Sequence, residues 1–424
     1  MFVKAISKIK NTVVFRGGIA AIDQGMLSAV NLAVQLILIN TVAKGQYGYY
    51  SVAFSAILYM ISFQNAIVNT PITITLASKS GEQKSKYVSS IFSGQLAALA
   101  IFAVAGTIII SVIYLFGLGL NESLIVGSLC LASFGILNRE FLRSYYYAEE
   151  RPLKVLKLDG YYALLYLGLI GLSILLYKVN VPLVIIFMGF AAGFDSLILN
   201  KSFKLNFNFK HIKEGYTENW QISKWSLIGV TVTHLQNYSY LYVIGAFLGS
   251  TAMADVSASR LLLMPLSLVI NGWSNVIRPY GAKLREANQL KKFFKSLVIA
   301  VSLYPIIVFS IALVLNLSSG FLLRTVFNQD YQNVFDYIFY WALIFSVLFI
   351  RANASYGLQV VRKFKSLALL NAVTMVITVI LALVLTYEFQ VKGALIASLS
   401  GECIFATVLW WNLYNSIFKT KESK

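Results

Sequence analysis

Four arginines interrupt stretches that are otherwise almost wholly apolar: Arg139, Arg260, Arg278 and Arg351. An ionised side chain at the centre of a bilayer costs on the order of 2.5–3.5 kcal/mol on insertion scales, so such groups face a hydrated cavity or a partner. A guanidinium stays charged at any relevant pH, and its planar fork grips phosphate through two parallel N–H groups. Arginines lining a cavity therefore suit a phosphorylated substrate. The plainer reading is an intramolecular pair, such as Arg139 with Glu140 or Arg260 with Asp255. Arg143 lies close enough to the inner interface to snorkel there. Two carboxylates, Asp23 and Glu402, also sit inside apolar runs. They are candidate sites for a coupling ion, H+ or Na+, and otherwise hydrogen-bonded structural carboxylates. Pro71 and Pro279 end or kink helices and are candidate hinges.

These residues need a scaffold that lipid can solvate. The 424-residue chain is 58% hydrophobic and 12% charged, against about 25% charged in a soluble domain. A spanning helix needs roughly 20 mostly apolar residues. The sequence predicts twelve, at 18–41, 47–77, 87–116, 123–147, 155–176, 182–199, 222–248, 252–282, 296–323, 334–361, 367–387 and 393–417. The expected fold is an all-α polytopic membrane protein, with two six-helix lobes around a central cavity. Residues 1–17 read as a cytoplasmic amphipathic segment, 18–199 and 221–418 as the lobes, 200–220 as a cytoplasmic linker and 419–424 as a cytoplasmic tail.

Loop charges test that count. Predicted inner loops carry clusters such as Lys79, Lys84 and Lys86, or Lys283, Arg285, Lys291, Lys292 and Lys295. Predicted outer loops carry only Lys44, Lys178, Arg324 and Lys392. A missed helix would invert the alternation, so both termini are placed in the cytoplasm. The net charge of +18 follows from these loops and does not point to nucleic acid.

Polar residues concentrate in the first, second and fourth predicted spans of each half. Asn31, Gln64, Asn65, His234, Gln236 and Asn353 belong to this set. The third, fifth, ninth and eleventh spans are largely aliphatic and read as lipid-facing. The halves also echo one another. Thr70-Pro71 and Arg278-Pro279 precede basic loops at nearly equal spacing, as do Arg139 and Arg351. Six spans per half relates the lobes by an axis along the membrane normal and suggests alternating access. No GxxxxGK[ST], GxSxG or HExxH run is present, and the outer loops are short. Built-in ATP hydrolysis is therefore not expected, nor is any cofactor, and short outer loops favour a transporter over the alternative of a membrane enzyme of glycan assembly. Cys130 and Cys403 lie inside apolar runs without metal-ligand spacing.

The run Ile22-Asp23-Gln24-Gly25, Ser28, Asn31, Gly45-Gln46-Tyr47-Gly48, Gln64-Asn65-Ala66 and Thr70-Pro71 resembles Wzx-type polysaccharide flippases. So does Asn138-Arg139-Glu140-Phe141-Leu142-Arg143, followed by Tyr147-Ala148 and Arg151-Pro152. These flippases belong to the multidrug/oligosaccharidyl-lipid/polysaccharide exporter superfamily. The resemblance implies a cationic cavity between the lobes and a bacterial inner-membrane location. It implies undecaprenyl-diphosphate-linked oligosaccharide as substrate, membrane lipid as surroundings, and a polysaccharide polymerase and chain-length regulator as partners. It would give the diphosphate to Arg139, Arg278 and Arg351, with Arg260 beside them, and sugar hydroxyls to Asn31, Gln64 and Asn65. The alternative within the superfamily is a multidrug or small-molecule cation antiporter.

Overall fold

A computed structural model describes residues 13–76, 79–117, 119–199, 205–327 and 329–419. Most of the expected amphipathic segment over 1–17 and of the tail over 419–424 lies outside them. The described residues contain helices and connecting turns and no strand. In a bilayer, helices satisfy every backbone hydrogen bond internally.

The first seven helices are α1 (Val13–Thr41), α2 (Lys44–Gln64), α3 (Thr70–Leu76), α4 (Gly81–Leu115), α5 (Leu120–Ala148), α6 (Pro152–Leu175) and α7 (Val181–Leu199). There follow α8 (Phe209–Leu248), α9 (Ser250–Leu263), α10 (Pro265–Glu286), α11 (Leu290–Leu317), α12 (Ser319–Thr325), a 3-10 segment (Gln329–Tyr337), α13 (Ile338–Val360) and α14 (Phe364–Phe418). Among the described residues eight helices are long and apolar enough to cross a membrane, nine if the bent pair α9–α10 is one span. The 55-residue α14 reverses at Gln390, where φ is 53°, so it supplies two passes. Gly393 lies against the backbone of Leu385, and Gly401 against Thr378, where any side chain would collide. With α7 and the 40-residue α8, these passes make up the twelve expected.

The chain forms two compact units, residues 1–230 and 231–424. The division falls ten residues beyond the predicted linker because α8 is one continuous helix whose first turns dock on the first unit. Tyr87 donates to Asn219 Oδ1 at 2.6 Å, Lys79 pairs with Glu218 at 3.1 Å, and the Tyr216 hydroxyl donates to the Ile91 carbonyl at 3.3 Å. The core here joins Ile72, Tyr87, Ile91, Phe92, Phe141, Leu142, Val155 and Leu158. Outward, α4, α11 and the first arm of α14 present Ile101, Ile108, Ile306, Ile307, Val373 and Ile380, as expected of lipid-facing spans.

Within the first unit α5 and α7 approach until Gly135 meets the Gly189 and Gly193 backbone and Gly189 meets Ala132. Close approach of small residues is how membrane helices gain packing energy without a hydrophobic driving force between them. Gly189→Leu should therefore overpack this contact by about 1–3 kcal/mol or more. The check is the thermal unfolding midpoint of purified protein in detergent, which should fall by several degrees.

Two spans depart from a regular α-helix beside a proline, one through a π-helical turn and one through a bend. Between α2 and α3 the residues Asn65–Asn69 form a π-helical turn. Pro71 has no N–H and its ring displaces the carbonyl four residues earlier. That carbonyl, on Ile67, instead accepts from Ser223 Oγ at 3.2 Å. The second break is a 50° bend between α9 and α10, at Met264–Pro265. Pro279, the candidate hinge, lies inside continuous α10. The two halves thus carry matching prolines but break at different places.

Candidate functional site

The first unit holds a buried charge network contributed by three helices. Asp23 comes from α1, Arg139, Glu140, Arg143 and Tyr147 from α5, and Asp159 from α6. Arg139 and Arg143 are one turn apart and share a face, so their like charges need a carboxylate between them. Asp159 supplies it, accepting from Arg139 Nη2 at 2.5 Å and from Arg143 Nε at 2.7 Å. Arg143 also donates through Nη1 to both Glu140 oxygens at 2.9 Å, and through Nη2 to Asp23 Oδ2 at 3.1 Å. The Tyr147 hydroxyl donates to the same Asp23 oxygen at 3.0 Å. Arg139 stacks on the Tyr162 ring, 3.7 Å from its centroid. Asp23 and Asp159 are 0% exposed, and Asp23 Oδ1 has no hydrogen-bond partner. Three carboxylates face two guanidiniums, so the cluster is one negative charge in excess when all are ionised.

Asp159 was not legible as a site residue, because α6 reads as an aliphatic span. Its signal is a face: Asp159, Tyr162 and Tyr166 recur at helical spacing, and all three are buried. Arg143, expected to snorkel to the interface, is instead the hub of the network.

Gln64 and Asn65 lie at the π-helical turn. Gln64 Nε2 donates to the Leu137 carbonyl at 2.8 Å, while its Oε1 is buried without a donor. Asn65 Oδ1 accepts from Asn69 Nδ2 at 2.7 Å. Asn31, on α1, is half-buried, and its carbonyl accepts from Gln35.

The second unit treats its three candidate arginines differently. Arg351 on α13 pairs with Glu402 on α14, Nε to Oε2 at 2.5 Å, which joins a candidate phosphate ligand to a candidate ion site. Arg260 on α9 is held without any carboxylate. Its Nη1 donates to the Tyr240 hydroxyl at 2.9 Å, and its guanidinium lies 5.1 Å from the Tyr238 ring and 5.4 Å from Trp341. Arg278 on α10 is exposed and lies over the Tyr356 ring at 4.6 Å. Among the described residues neither Arg260 nor Arg278 has a carboxylate within ion-pairing distance. A cation resting on aromatic faces keeps its N–H groups free for an incoming anion. A small cavity brings Arg260 and Glu402 together with Gln236, Asn237, Trp341 and Ser398. Gln236 Nε2 and Ser398 Oγ are buried there without partners.

No protein-family model matches the sequence, and no curated relative does either. Solved structures do match along nearly the whole chain. One is an inward-facing multidrug resistance MATE-family transporter of the MOP superfamily, 14% identical, TM-score 0.75, covering 93% of this chain and 95% of that one. The lipid II flippase MurJ in an inward closed conformation is 14% identical, TM-score 0.74, covering 92% and 86%. A MOP-superfamily transporter from Pyrococcus furiosus, described as having a binding pocket of reversed polarity, is 12% identical, TM-score 0.62, covering 94% and 93%. At these identities the likeness is one of architecture: the chain is a multi-pass membrane protein with the helical fold of the MOP-superfamily transporters.

Proposed function

We propose that the protein is a flippase that moves undecaprenyl-diphosphate-linked oligosaccharide from the cytoplasmic to the outer leaflet of a bacterial inner membrane. The observation that carries this reading is the state of Arg260 and Arg278, guanidiniums within predicted spans whose partners are aromatic rings and a phenol. A transported anion is the missing counter-charge. Each sugar hydroxyl taken into hydrocarbon unpaired costs roughly 2–7 kcal/mol, so the head group needs a polar route while its polyprenyl tail stays in lipid. The fold shared with a protein described as a lipid II flippase supports the same class of cargo. Alternating access between the two units is the proposed motion, with a polymerase and chain-length regulator as downstream partners.

Ion coupling is proposed at the Asp23 network. The excess carboxylate in a buried cluster favours uptake of one H+ or Na+, and Asp23 Oδ1 is the oxygen left without a donor. A multidrug antiporter is the second reading, favoured by the MATE-family structural match. Depletion of the protein from its own cell separates the two. Under the flippase reading, surface glycan falls and single lipid-linked repeat units accumulate on the inner leaflet, as measured by protection from an externally added glycosidase. Unchanged surface glycan with raised drug sensitivity would replace it with the antiporter.

A further inference from the structure

We infer that the first unit carries a binding site for an anionic phospholipid of the inner leaflet. Two hollows on this unit adjoin, sharing Ile67 and Tyr216 in their walls. The first, of about 440 Å³, lies between the π-helical turn and the start of α8 and is lined by Lys213, Thr217, Trp220 and Ser223 as well. The second, of about 390 Å³, continues between α2 and α4 past Phe63, Ala98, Leu99 and Phe102. One end is therefore basic and aromatic, and the other is apolar.

Depth along the helices fits a lipid. Ile67 lies roughly 35 Å of helix rise from Lys44, the outer start of α2, at 1.5 Å per residue. The hydrocarbon core is about 30 Å thick. The shared residues thus sit at the inner boundary of the core, the apolar arm runs back into the inner leaflet, and Lys213 lies on the cytoplasmic side. Trp220 is 49% exposed, as a ring at the headgroup level should be. Among the described residues Lys213 is the one charged side chain in the wall of the first hollow, and no described carboxylate pairs with it. An ammonium beside an aromatic mouth, above an apolar trough, matches a headgroup phosphate with an acyl chain beneath it. The net negative surface of the cytoplasmic leaflet supplies such lipids. A bound chain would rest against the π-helical turn and against α8 where it docks, the segment that links the two units.

The test uses the full chain in detergent micelles, titrated with dioleoyl-phosphatidylglycerol or dioleoyl-phosphatidylcholine, with binding read by native mass spectrometry. Phosphatidylglycerol should bind at least fivefold more tightly than phosphatidylcholine, and dihexanoyl-phosphatidylglycerol about tenfold more weakly than the dioleoyl form. Lys213→Ala should remove the headgroup preference. Ala98→Trp should weaken binding at least fivefold by filling the trough, with the lysine intact. Lys210→Ala, the same charge change one helical turn away, should leave binding unchanged. Equal binding of the two headgroups, or equal losses from Lys213→Ala and Lys210→Ala, would overturn the proposal. A tenfold preference for undecaprenyl phosphate over phosphatidylglycerol, lost with Lys213→Ala, would overturn the phospholipid assignment and give the hollows to the transported lipid. None of these outcomes depends on transport, so the flippase reading stands or falls separately.

Discussion

Replacing Arg143 with leucine should cost the protein about 3–5 kcal/mol of stability, the usual effect of removing one partner from a buried ion pair. Arg143 touches Asp23, Glu140 and Asp159 at once, and Asp23 and Asp159 have no exposed surface. Without the guanidinium, three carboxylates would share only Arg139. They would take up protons, recruit water or force α1, α5 and α6 apart. Asp23→Asn does the reverse. It removes the excess negative charge, keeps the hydrogen bonds to Tyr147 and Arg143 in outline, and should melt within about 1 kcal/mol of wild type. The comparison is the thermal unfolding midpoint of both variants purified in detergent. A stable Arg143→Leu would mean that the network does not hold the first unit together. If Asp23 is also the coupling site, Asp23→Asn should fold normally yet lose the dependence of transport on an ion gradient in proteoliposomes.

Arg260→Lys should reduce flipping of a diphosphate-linked oligosaccharide in proteoliposomes by tenfold to about a hundredfold. The basis is the loss of charge-assisted hydrogen bonds worth roughly 1.5–3 kcal/mol, at about 1.4 kcal/mol per tenfold. Lysine keeps the charge but loses the planar fork and its stacking on Tyr238 and Trp341. Because Arg260 satisfies no buried carboxylate, its loss should leave the melting temperature nearly unchanged. Tyr240→Phe should give a smaller loss, since it removes only the phenol that aims Nη1. Arg351→Lys is the contrast. Its Nε is already held by Glu402 at 2.5 Å, so the substitution should disturb stability more than substrate affinity. Equal transport by Arg260→Lys and wild type would remove Arg260 from the substrate site.

Twelve spans were legible in the sequence because the bilayer imposes a length and an apolar composition on each helix, and because basic loops alternate with the side of the membrane. The places where side chains break that composition were legible too, so Asp23, Arg139, Arg260, Arg351 and Glu402 stand out by residue type and position alone. What each of them does was not legible. Hydropathy scores a residue one at a time, whereas a buried charge is defined by what comes within about 4 Å of it, and that is set by which helix faces which. Asp159 shows the difference. A single carboxylate in an aliphatic span reads as noise, and it becomes the bridge between Arg139 and Arg143 only when α6 packs its tyrosine face on α5. The same holds for the prolines. Pro71 and Pro279 look alike in sequence, yet Ser223 on a distant helix satisfies the carbonyl that Pro71 displaces, while the second bend falls at Pro265. How many helices cross the membrane, and which of them carry charge, follows from composition and spacing. Which charges neutralise each other, and which stay open to a ligand, is settled by helix packing, because pairing energies depend on distance and burial and neither is encoded in composition.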